Sequence, residues 1–296
     1  MKTDARDGAL TPRAKIAAEI LLQRETRVTY GVTTHTLHGD PLLEMCWHMQ
    51  GDRFLLRATG EHYFLYRKGD GITVERGPGA DVSEESLWLE GSVYSAIASM
   101  NGLLPIHASA VAHGGSVFAF TGPPGAGKST LVAALGRRGL PMFCDDTLVL
   151  ELSDPGRIIC IPGHKRLKLT PDAIVLTGAT PEEEVSRTVE KFYALPPAGD
   201  VGIALPLGAL IFLEESPDPM IASITGAERF VRMDDNHQTA HLFAGARQLD
   251  RAEQFAHRAR LARQIPMARF VRPRDAARFD EGVSLAVDYV TNRRSD

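Results

Sequence analysis

The first third of the chain alternates short apolar runs with glycine-containing turns. The runs lie at residues 28–34, 42–47, 53–57, 62–66 and 71–75. Gly-Asp pairs separate several of them, and Gly77-Pro78-Gly79 follows the last run. Because short β-type runs joined by such turns are typical of hairpins, the pattern predicts a small antiparallel sheet.

A helix is predicted on each side of this sheet. Within residues 1–25, behind a polar lead, small and apolar side chains recur at helical spacing, at Ala14, Ala17, Ala18, Leu21 and Leu22. After the sheet, Ser83 is a residue type that caps helix N-termini, and Asn101-Gly102 ends the predicted helix just beyond Met100.

The rest of the chain combines buried strands with helices. Ser116–Thr121 and Leu205–Leu213 are continuous apolar runs, which predict buried strands. Residues 178–192 are highly polar and predict an exposed, mobile loop. From Gly226 onward helical periodicity dominates, with one further strand predicted near Ala268–Val271. The overall pattern is that of an α/β protein.

Composition and charge narrow the function classes. The 296 residues are 44% hydrophobic and carry a net charge of −4, from 33 basic and 37 acidic residues, which argues against a nucleic-acid partner. Eight arginines at 247–274 fit a solvated helix face better than a nucleic-acid patch. Cys46, Cys144 and Cys160 have no disulfide or zinc spacing. No apolar stretch could span a bilayer, so we expect a cytoplasmic protein without a membrane partner.

The strongest chemical signal is a glycine-rich loop between a predicted strand and helix. It matches the phosphate-binding pattern from residue 122 to residue 130: Gly122, Pro123, Pro124, Gly125, Ala126, Gly127, Lys128, Ser129 and Thr130. In such a loop, backbone N–H groups and a helix N-terminus attract an anion, the lysine reaches the β/γ-phosphates and the serine ligates Mg²⁺. The pattern predicts ATP and Mg²⁺ binding. The alternative interpretation is a Gly/Pro turn with an incidental lysine.

A histidine precedes this loop at hairpin distance. Gly114-Gly115 predicts a two-residue turn, which pairs His113 with Ser116 and sets His107 opposite Gly122. The hairpin would bring an imidazole beside the phosphates. The alternative is a core histidine at the end of a strand.

Two adjacent aspartates follow the loop and its helix. Asp145-Asp146 comes after the apolar run 140–144, which we expect to be a parallel strand with the pair near its C-terminal end. Ligands bind at that edge of open α/β sheets, where carboxylates hold metals or accept protons. The two side chains should point to opposite faces unless the strand has already ended. The alternative is a turn or cap pair.

His107, the glycine-rich loop and Asp145-Asp146 together resemble the catalytic domain of HPr kinase/phosphorylase and its relatives. The resemblance covers residues 103–152 well and the remainder loosely. It implies an α/β fold with a P-loop core of the HPr kinase/PEP carboxykinase-like type over 101–296, behind a small β-rich domain over 1–100. Some HPr-kinase-related proteins phosphorylate a serine of lasso-peptide precursors. Relatives of the regulatory enzyme form oligomers, so the resemblance leaves a homo-oligomer as one alternative.

The resemblance implies ATP-dependent phosphorylation of a hydroxyl, with serine of a protein or peptide as acceptor. Asp145 would be the general base, Asp146 would support it or join Ser129 in the Mg²⁺ shell, and His107 would position the reacting groups. The family has a glutamate-bearing signature after the doublet, whereas residues 164–169 here hold no acid. Instead Lys165, Arg166 and Lys168 are candidates to contact phosphate or substrate, or else form a solvated strand edge.

Two other functions remain open from the sequence. A small-molecule kinase of the nucleoside-kinase type shares the loop and an acidic base, although no arginine-bearing lid is evident. A nucleotide-binding regulatory module with little turnover is the third hypothesis. It rests on Leu210–Glu215, an apolar run ending in acids as in ATPases.

Overall fold

The computed structural model describes the backbone of residues 12–154, 156–187, 189–233 and 238–292, and side chains from 17 onward except those of 238–240. Within these ranges the chain is a mixed α/β protein with three sheets. Helix α1 (Pro12–Glu25) is present as predicted, with Ala18 and Leu22 buried. The polar lead and the Ala14 side chain lie outside the described part. No helix among the described residues is long and apolar enough to cross a membrane.

The first sheet contains the predicted hairpins. Its strands, in spatial order, are β1 (Val28–Tyr30), β5 (Gly71–Arg76), β4 (His62–Arg67), β3 (Arg53–Ala58) and β2 (Cys46–Gln50). Four strands are antiparallel, as expected, but β1 pairs parallel to β5, so the prediction of a wholly antiparallel sheet is wrong. Short turns join β2 to β5 and dictate antiparallel pairing, whereas the long segment 31–45 leaves the direction of β1 free.

A composite helix connects this sheet to the second half. It consists of a 3₁₀ turn (Val82–Glu84), α2 (Glu85–Trp88), a π-helical turn (Leu89–Val93) and α3 (Tyr94–Met100). Its cap is Asp81 rather than the predicted Ser83, because the Asp81 carboxylate accepts the Ser83 N–H at 2.9 Å. The helix ends at Asn101-Gly102 as predicted, with Gly102 at a φ of 81°.

The large sheet carries the glycine-rich loop. The path of its strands is β10 (Ile159–Ile161), β9 (Thr147–Glu151), β6 (Leu104–His113), β7 (Ser116–Thr121), β14 (Leu205–Glu215), β16 (Met267–Arg272) and β15 (Met220–Ser223), with β8 (Met142–Cys144) also pairing with β6. His113 pairs with Ser116, so the predicted hairpin register is confirmed. Strand β8 runs parallel to β7 in direction, as expected, but β6 lies between them.

Helices cover both faces of this sheet. Along β7, Phe118 and Phe120 face α4 (Lys128–Arg137) and α9 (Phe279–Asn292), while Val117 and Ala119 face α7 (Gln238–Arg247) and α8 (Arg251–Gln264). This alternation follows from the two-residue period of a strand. Helix α6 (Glu228–Arg232) packs against α8. The strands near Leu205 and Ala268 are confirmed as β14 and β16.

A third, small sheet lies beside α4. It contains, in spatial order, β11 (Leu167–Leu169), β13 (Phe192–Ala194) and β12 (Pro181–Glu184), and α5 (Pro171–Thr177) connects β11 to β12. Residues 181–184 are exposed as predicted, but they form an edge strand rather than a loop. Pairing with β13 explains this, because an edge strand tolerates charged side chains.

The two predicted domains share a hydrophobic cluster. Tyr66 and Ile97 from the first hundred residues pack in the same cluster as Val149 and Ile161 of the large sheet. The composite helix therefore lies against the large sheet, which places its π-helical turn near the end of β8.

Candidate functional site

The glycine-rich loop joins β7 to α4 as the sequence predicts. Gly125 and Gly127 have φ of 78° and 79°, a region that favours glycine. A Cβ on Gly127 would lie 2.6 Å from the Arg272 guanidinium, so a side chain there would require Arg272 to move. Residues 123–125 are exposed. The loop is thus an open turn of backbone at a helix N-terminus.

Backbone donors remain available at the start of α4. The Leu131 N–H is bonded to the Gly127 carbonyl at 2.9 Å, but among the described residues the N–H groups of Ser129 and Thr130 have no recorded acceptor. Unpaired N–H groups at a helix N-terminus form an anion site with the positive end of the helix dipole. The residues present therefore fit a bound phosphate chain.

Lys128 lies across the opening of the loop. Its side chain is almost buried, with 7% exposed, and its Nζ donates to the carbonyls of Gly122 at 3.0 Å and Pro123 at 3.2 Å. An ammonium group held there would neutralise a terminal phosphate bound in the loop.

Asp145 joins the loop to two other elements, β6 and β11. It is 2% exposed, and its Oδ1 accepts the hydroxyls of Ser129 at 2.8 Å and Ser109 at 2.5 Å. Its Oδ2 accepts the backbone N–H of Lys168 at 3.0 Å. Both carboxylate oxygens are therefore occupied, and one of them holds the serine expected to ligate Mg²⁺.

Asp146 has different partners from Asp145, and it lies beyond the end of its strand. Strand β8 stops at Cys144, and Asp146 has a φ of 68°, in the left-handed region. Its carboxylate lies 3.2 Å from Lys168 Nζ and 3.3 Å from His107 Nδ1, with 31% of the side chain exposed. Burial alone would raise the pKa of Asp146, but the charges of Lys168 and His107 outweigh it and hold that pKa below its ordinary value.

His107 lies where the hairpin register predicts, next to the loop. Its Nδ1 is 2.9 Å from the backbone oxygen of Asp146, and its own backbone oxygen accepts the Thr121 hydroxyl at 3.0 Å. Thr121 is the last residue before Gly122. The imidazole, the doublet and the loop are therefore neighbours in the fold.

The three basic candidates after the doublet separate. Lys168 reaches the doublet, as described above. Lys165 instead donates to the backbone carbonyls of Phe143 and Val201. Arg166 stacks on Tyr193 and pairs with the exposed glutamates of β12. The structure brings only Lys168 of these three to the site, and it is the one of the three that lies within β11.

Glu90 joins the cluster of His107, Asp146 and Lys168, and the sequence did not predict it. It belongs to the π-helical turn, and its carboxylate lies 3.8 Å from Lys168 Nζ and 3.9 Å from His164 Nδ1. Burial raises the pKa of Glu90, against the opposing charge of Lys168. The same burial, with the nearby lysine charge, lowers the pKa of His164 to about 4. Residues 164–169 lack an acid, but an acid from the first hundred residues lies beside them.

Arg272 is a second residue that the sequence reasoning missed. It ends β16, and its Nη2 donates to the Ala126 carbonyl at 2.8 Å. Burial lowers the pKa of its guanidinium, and Arg274 adds to this effect. The available signal was weak, because it was one of eight arginines in a segment predicted to be mainly solvated helix.

The donors fit a magnesium ion better than a metal held by protein alone. Among the described residues, no three His, Cys, Asp or Glu side chains group to hold a metal. Mg²⁺ usually takes one or two protein oxygens together with phosphate oxygens and water. Ser129 and the doublet supply oxygens of that kind beside the loop.

Cys144 and Cys160 are buried free thiols, with pKa values raised by burial.

Comparisons with known proteins give distant structural likeness and no match at the level of sequence families. No protein-family model and no curated protein matches the chain. Among solved structures, it is similar to the Hpr(Ser) kinase/phosphatase from Coxiella burnetii, with 13% sequence identity and a TM-score of 0.32. The match covers 62% of this chain and 95% of that one. The relationship is a distant structural one, in keeping with a mixed α/β chain of several sheets, and it assigns no activity.

Proposed function

We propose that this chain is an ATP- and Mg²⁺-dependent phosphotransferase that phosphorylates a hydroxyl group. The observation that carries the proposal is the hydrogen bond from Ser129 in the loop to Asp145 in the doublet, at 2.8 Å. It joins the loop pattern to a carboxylate from another strand. Kinases need such positioning and charge neutralisation more than covalent chemistry from the protein.

The two aspartates would divide the work in the reverse of the order that the resemblance implies. Asp145 is buried and both of its carboxylate oxygens accept hydrogen bonds. This suits a residue that orients Ser129, which in turn would ligate the metal. Asp146 is more exposed and ionised, which suits a residue that receives a proton. Bound Mg²⁺ would neutralise charge on the phosphates.

The reaction then has a simple balance. The acceptor's hydroxyl oxygen attacks the terminal phosphorus, and a new P–O bond forms as the bond to the β-phosphate's bridging oxygen breaks. ADP leaves, and the hydroxyl proton passes to the Asp146 carboxylate. His107 and Lys168 hold that carboxylate in place, and Lys128 stabilises charge on the transferring group.

The acceptor class that the sequence resemblance implies is serine of a protein or peptide, such as a lasso-peptide precursor. A small-molecule hydroxyl is a second candidate, favoured by a large apolar cavity that reaches the loop. The regulatory-module hypothesis is less supported. Glu214 and Glu215 at the end of β14 are paired with Arg232 and Arg274, at 2.5 and 2.8 Å, and Ser129 is bonded to Asp145 instead.

The test is transfer of label from γ-³²P-ATP to separate peptide and metabolite pools. We expect labelled product with one pool, formed about 10²–10⁴-fold more slowly by the Asp146→Asn variant. Asp172→Asn, which changes an exposed aspartate of α5, is the matched control and should keep full activity. ATP hydrolysis that no acceptor stimulates would contradict the proposal and favour a regulatory module.

A further inference from the structure

A cavity of about 800 Å³ adjoins the glycine-rich loop on the sheet face opposite α4. Its lining includes the ends of β7 and β14 together with residues of α7 and α8. Most of the lining is apolar, as in the hydrophobic cluster that packs on this face. Small-molecule sites are typically apolar concavities of about 300–1,000 Å³ with a few polar groups.

One end of the cavity is lined by loop residues that bond to Lys128, the lysine that would neutralise the terminal phosphate. Gly122 and Pro123 line the cavity, and their carbonyls accept the Lys128 ammonium. Thr121 also lines it, and its hydroxyl donates to the His107 carbonyl at 3.0 Å. Thr121 therefore connects the cavity wall directly to His107, which contacts Asp146.

The inner wall has the features of a site for a flat ring. Phe243 and His257 both line the cavity, and their rings stack with centroids 5.0 Å apart and planes 26° from parallel. The buried Nε2 of His257 has no hydrogen-bond partner among the described residues. A buried polar atom without a partner is costly, so a ligand that supplies one gains affinity.

The charged groups of the cavity favour a neutral occupant. Glu214 is paired with Arg232, and Glu215 with Arg274. Arg258, which also lines the cavity, has a partner as well. A charged ligand would have to displace one of these pairs, whereas a neutral one would not.

We infer that this cavity binds the phosphoryl acceptor, and that the acceptor is a neutral small molecule with a flat apolar ring, a hydrogen-bonding group on the ring and a free hydroxyl. The ring would stack against Phe243 and bond to His257, with the hydroxyl directed towards Gly122. This assignment rests on the proposed phosphotransferase activity. The competing occupant is the nucleoside of ATP, and the variants below separate the two.

The experiment measures binding of five probes by calorimetry: thymidine, adenosine, pyridoxine, 4-hydroxybenzyl alcohol and a seryl peptide. ATP is titrated separately. We expect at least one ring compound to bind and to stimulate ADP release. Ala244→Trp fills the cavity from α7 and should weaken that binding by about tenfold or more, with ATP affinity within about twofold of wild type. Ala252→Trp, on the exposed side of α8, is the control and should change neither.

A second variant guards against misfolding by the large side chain. His257→Leu keeps volume but removes the ring nitrogens, and should weaken the ring compound by about three- to tenfold without affecting ATP. Binding of none of the ring compounds, or of the peptide alone, would overturn the inference. Loss of ATP binding in either variant would assign the cavity to the nucleoside. If wild type bound a ring compound but not ATP, the proposed activity would fail while the cavity site stood.

Discussion

Two glutamates on the same composite helix have opposite environments. Glu85 of α2 is buried against the first sheet, where its carboxylate accepts the Tyr30 hydroxyl at 2.6 Å and the Arg76 guanidinium at 2.8 and 3.1 Å. Glu90, five residues later, has its nearest cationic partner, Lys168, at 3.8 Å. Burial would raise both pKa values, but the bonds from Arg76 and Tyr30 hold the pKa of Glu85 below its ordinary value, while that of Glu90 is raised.

The difference separates a carboxylate that stabilises the fold from one that lies beside the candidate functional site. Both carboxylate oxygens of Glu85 accept hydrogen bonds from residues of the first sheet, Tyr30 and Arg76. Glu90 shares one lysine with Asp146, next to a loop with free backbone donors. Incompletely paired carboxylates beside an anion site are typical of functional sites, because chemistry needs groups that can change partners. Variants in the Glu85 cluster should therefore affect stability, and variants in the Asp146 cluster should affect turnover.

The largest expected effect comes from Asp146→Asn. Losing the proton acceptor should lower phosphoryl transfer by about 10²–10⁴-fold, the usual contribution of a general base. Unfolding temperature and ATP affinity should stay near wild type, because the loop contacts belong to Asp145. Single-turnover transfer, calorimetry and thermal melts of this variant check all three. Full transfer would return the role of base to Asp145, where the sequence resemblance puts it.

Next in size is Lys168→Met, which removes the cation shared by Asp146 and Glu90. The pKa of Asp146 should rise, and transfer should fall by about tenfold for each unit that it rises above the assay pH. Because the ionised carboxylate is the active form, the acid limb of the rate–pH profile should move to higher pH. Lys165→Met is the comparison variant, because the Lys165 ammonium donates to the backbone carbonyls of Phe143 and Val201 and not to the doublet. An unmoved acid limb would mean that Lys168 does not tune Asp146.

Glu85→Gln should act on stability instead. Replacing this carboxylate leaves Arg76 and Tyr30 with weaker partners and should lower the free energy of unfolding by about 1–3 kcal/mol. Transfer per folded molecule should not change. Urea unfolding measures the first quantity, and Glu61→Gln, at an exposed glutamate nearby, should have no effect. Loss of turnover without loss of stability would remove the distinction between the two clusters.

The pH dependence of that difference is a finer test. The folded pKa of Glu85 is below its ordinary value of 4.5, so its stabilisation is present above that pH and is lost as the pH falls through the lowered folded value. The stability gap between wild type and Glu85→Gln should therefore shrink on acidification below 4.5. A gap that stayed constant to pH 3 would show that folding does not lower the pKa of Glu85.

The smallest effect is expected for Glu90→Gln. Burial already disfavours the ionised form of Glu90, so the neutral amide should change stability by less than about 1 kcal/mol. Transfer should change only a few-fold, through the position of Lys168. A loss as large as that of Asp146→Asn would instead make Glu90 a direct participant in the reaction. Paired rate and melting measurements on both variants decide this.

The loop and the hairpin could be predicted because their contacts are local. Gly114-Gly115 dictates the register that brings His107 beside the loop, and the spacing of Gly122, Gly127 and Lys128 dictates the turn. For the two aspartates the sequence allowed two alternatives: side chains on opposite faces of a continuing strand, or a strand that had already ended. Which one applied depended on where β8 ends, and a three-residue strand gives no pattern for that.

The contribution of Glu90 could not be predicted, because it depends on packing between distant segments. A π-helical turn changes the phase of the helix, so the face that Glu90 occupies does not follow from 3.6-residue periodicity. Arg272 is similar, since it reaches the Ala126 carbonyl from 146 residues away. The same limit explains the parallel pairing of β1 with β5. No short turn joins these two strands, so the local sequence does not dictate their relative direction.

The proposed function requires that the loop from Gly122 to Thr130 binds ATP with Mg²⁺. Calorimetric titration of Mg-ATP into wild type and Lys128→Ala tests it most directly, with Lys68→Ala of the first sheet as the control. We expect one site per chain in wild type and the control, and affinity reduced by about 100-fold or more without the Lys128 ammonium. Wild type that binds no nucleotide, or Lys128→Ala that binds it equally well, would contradict the claim.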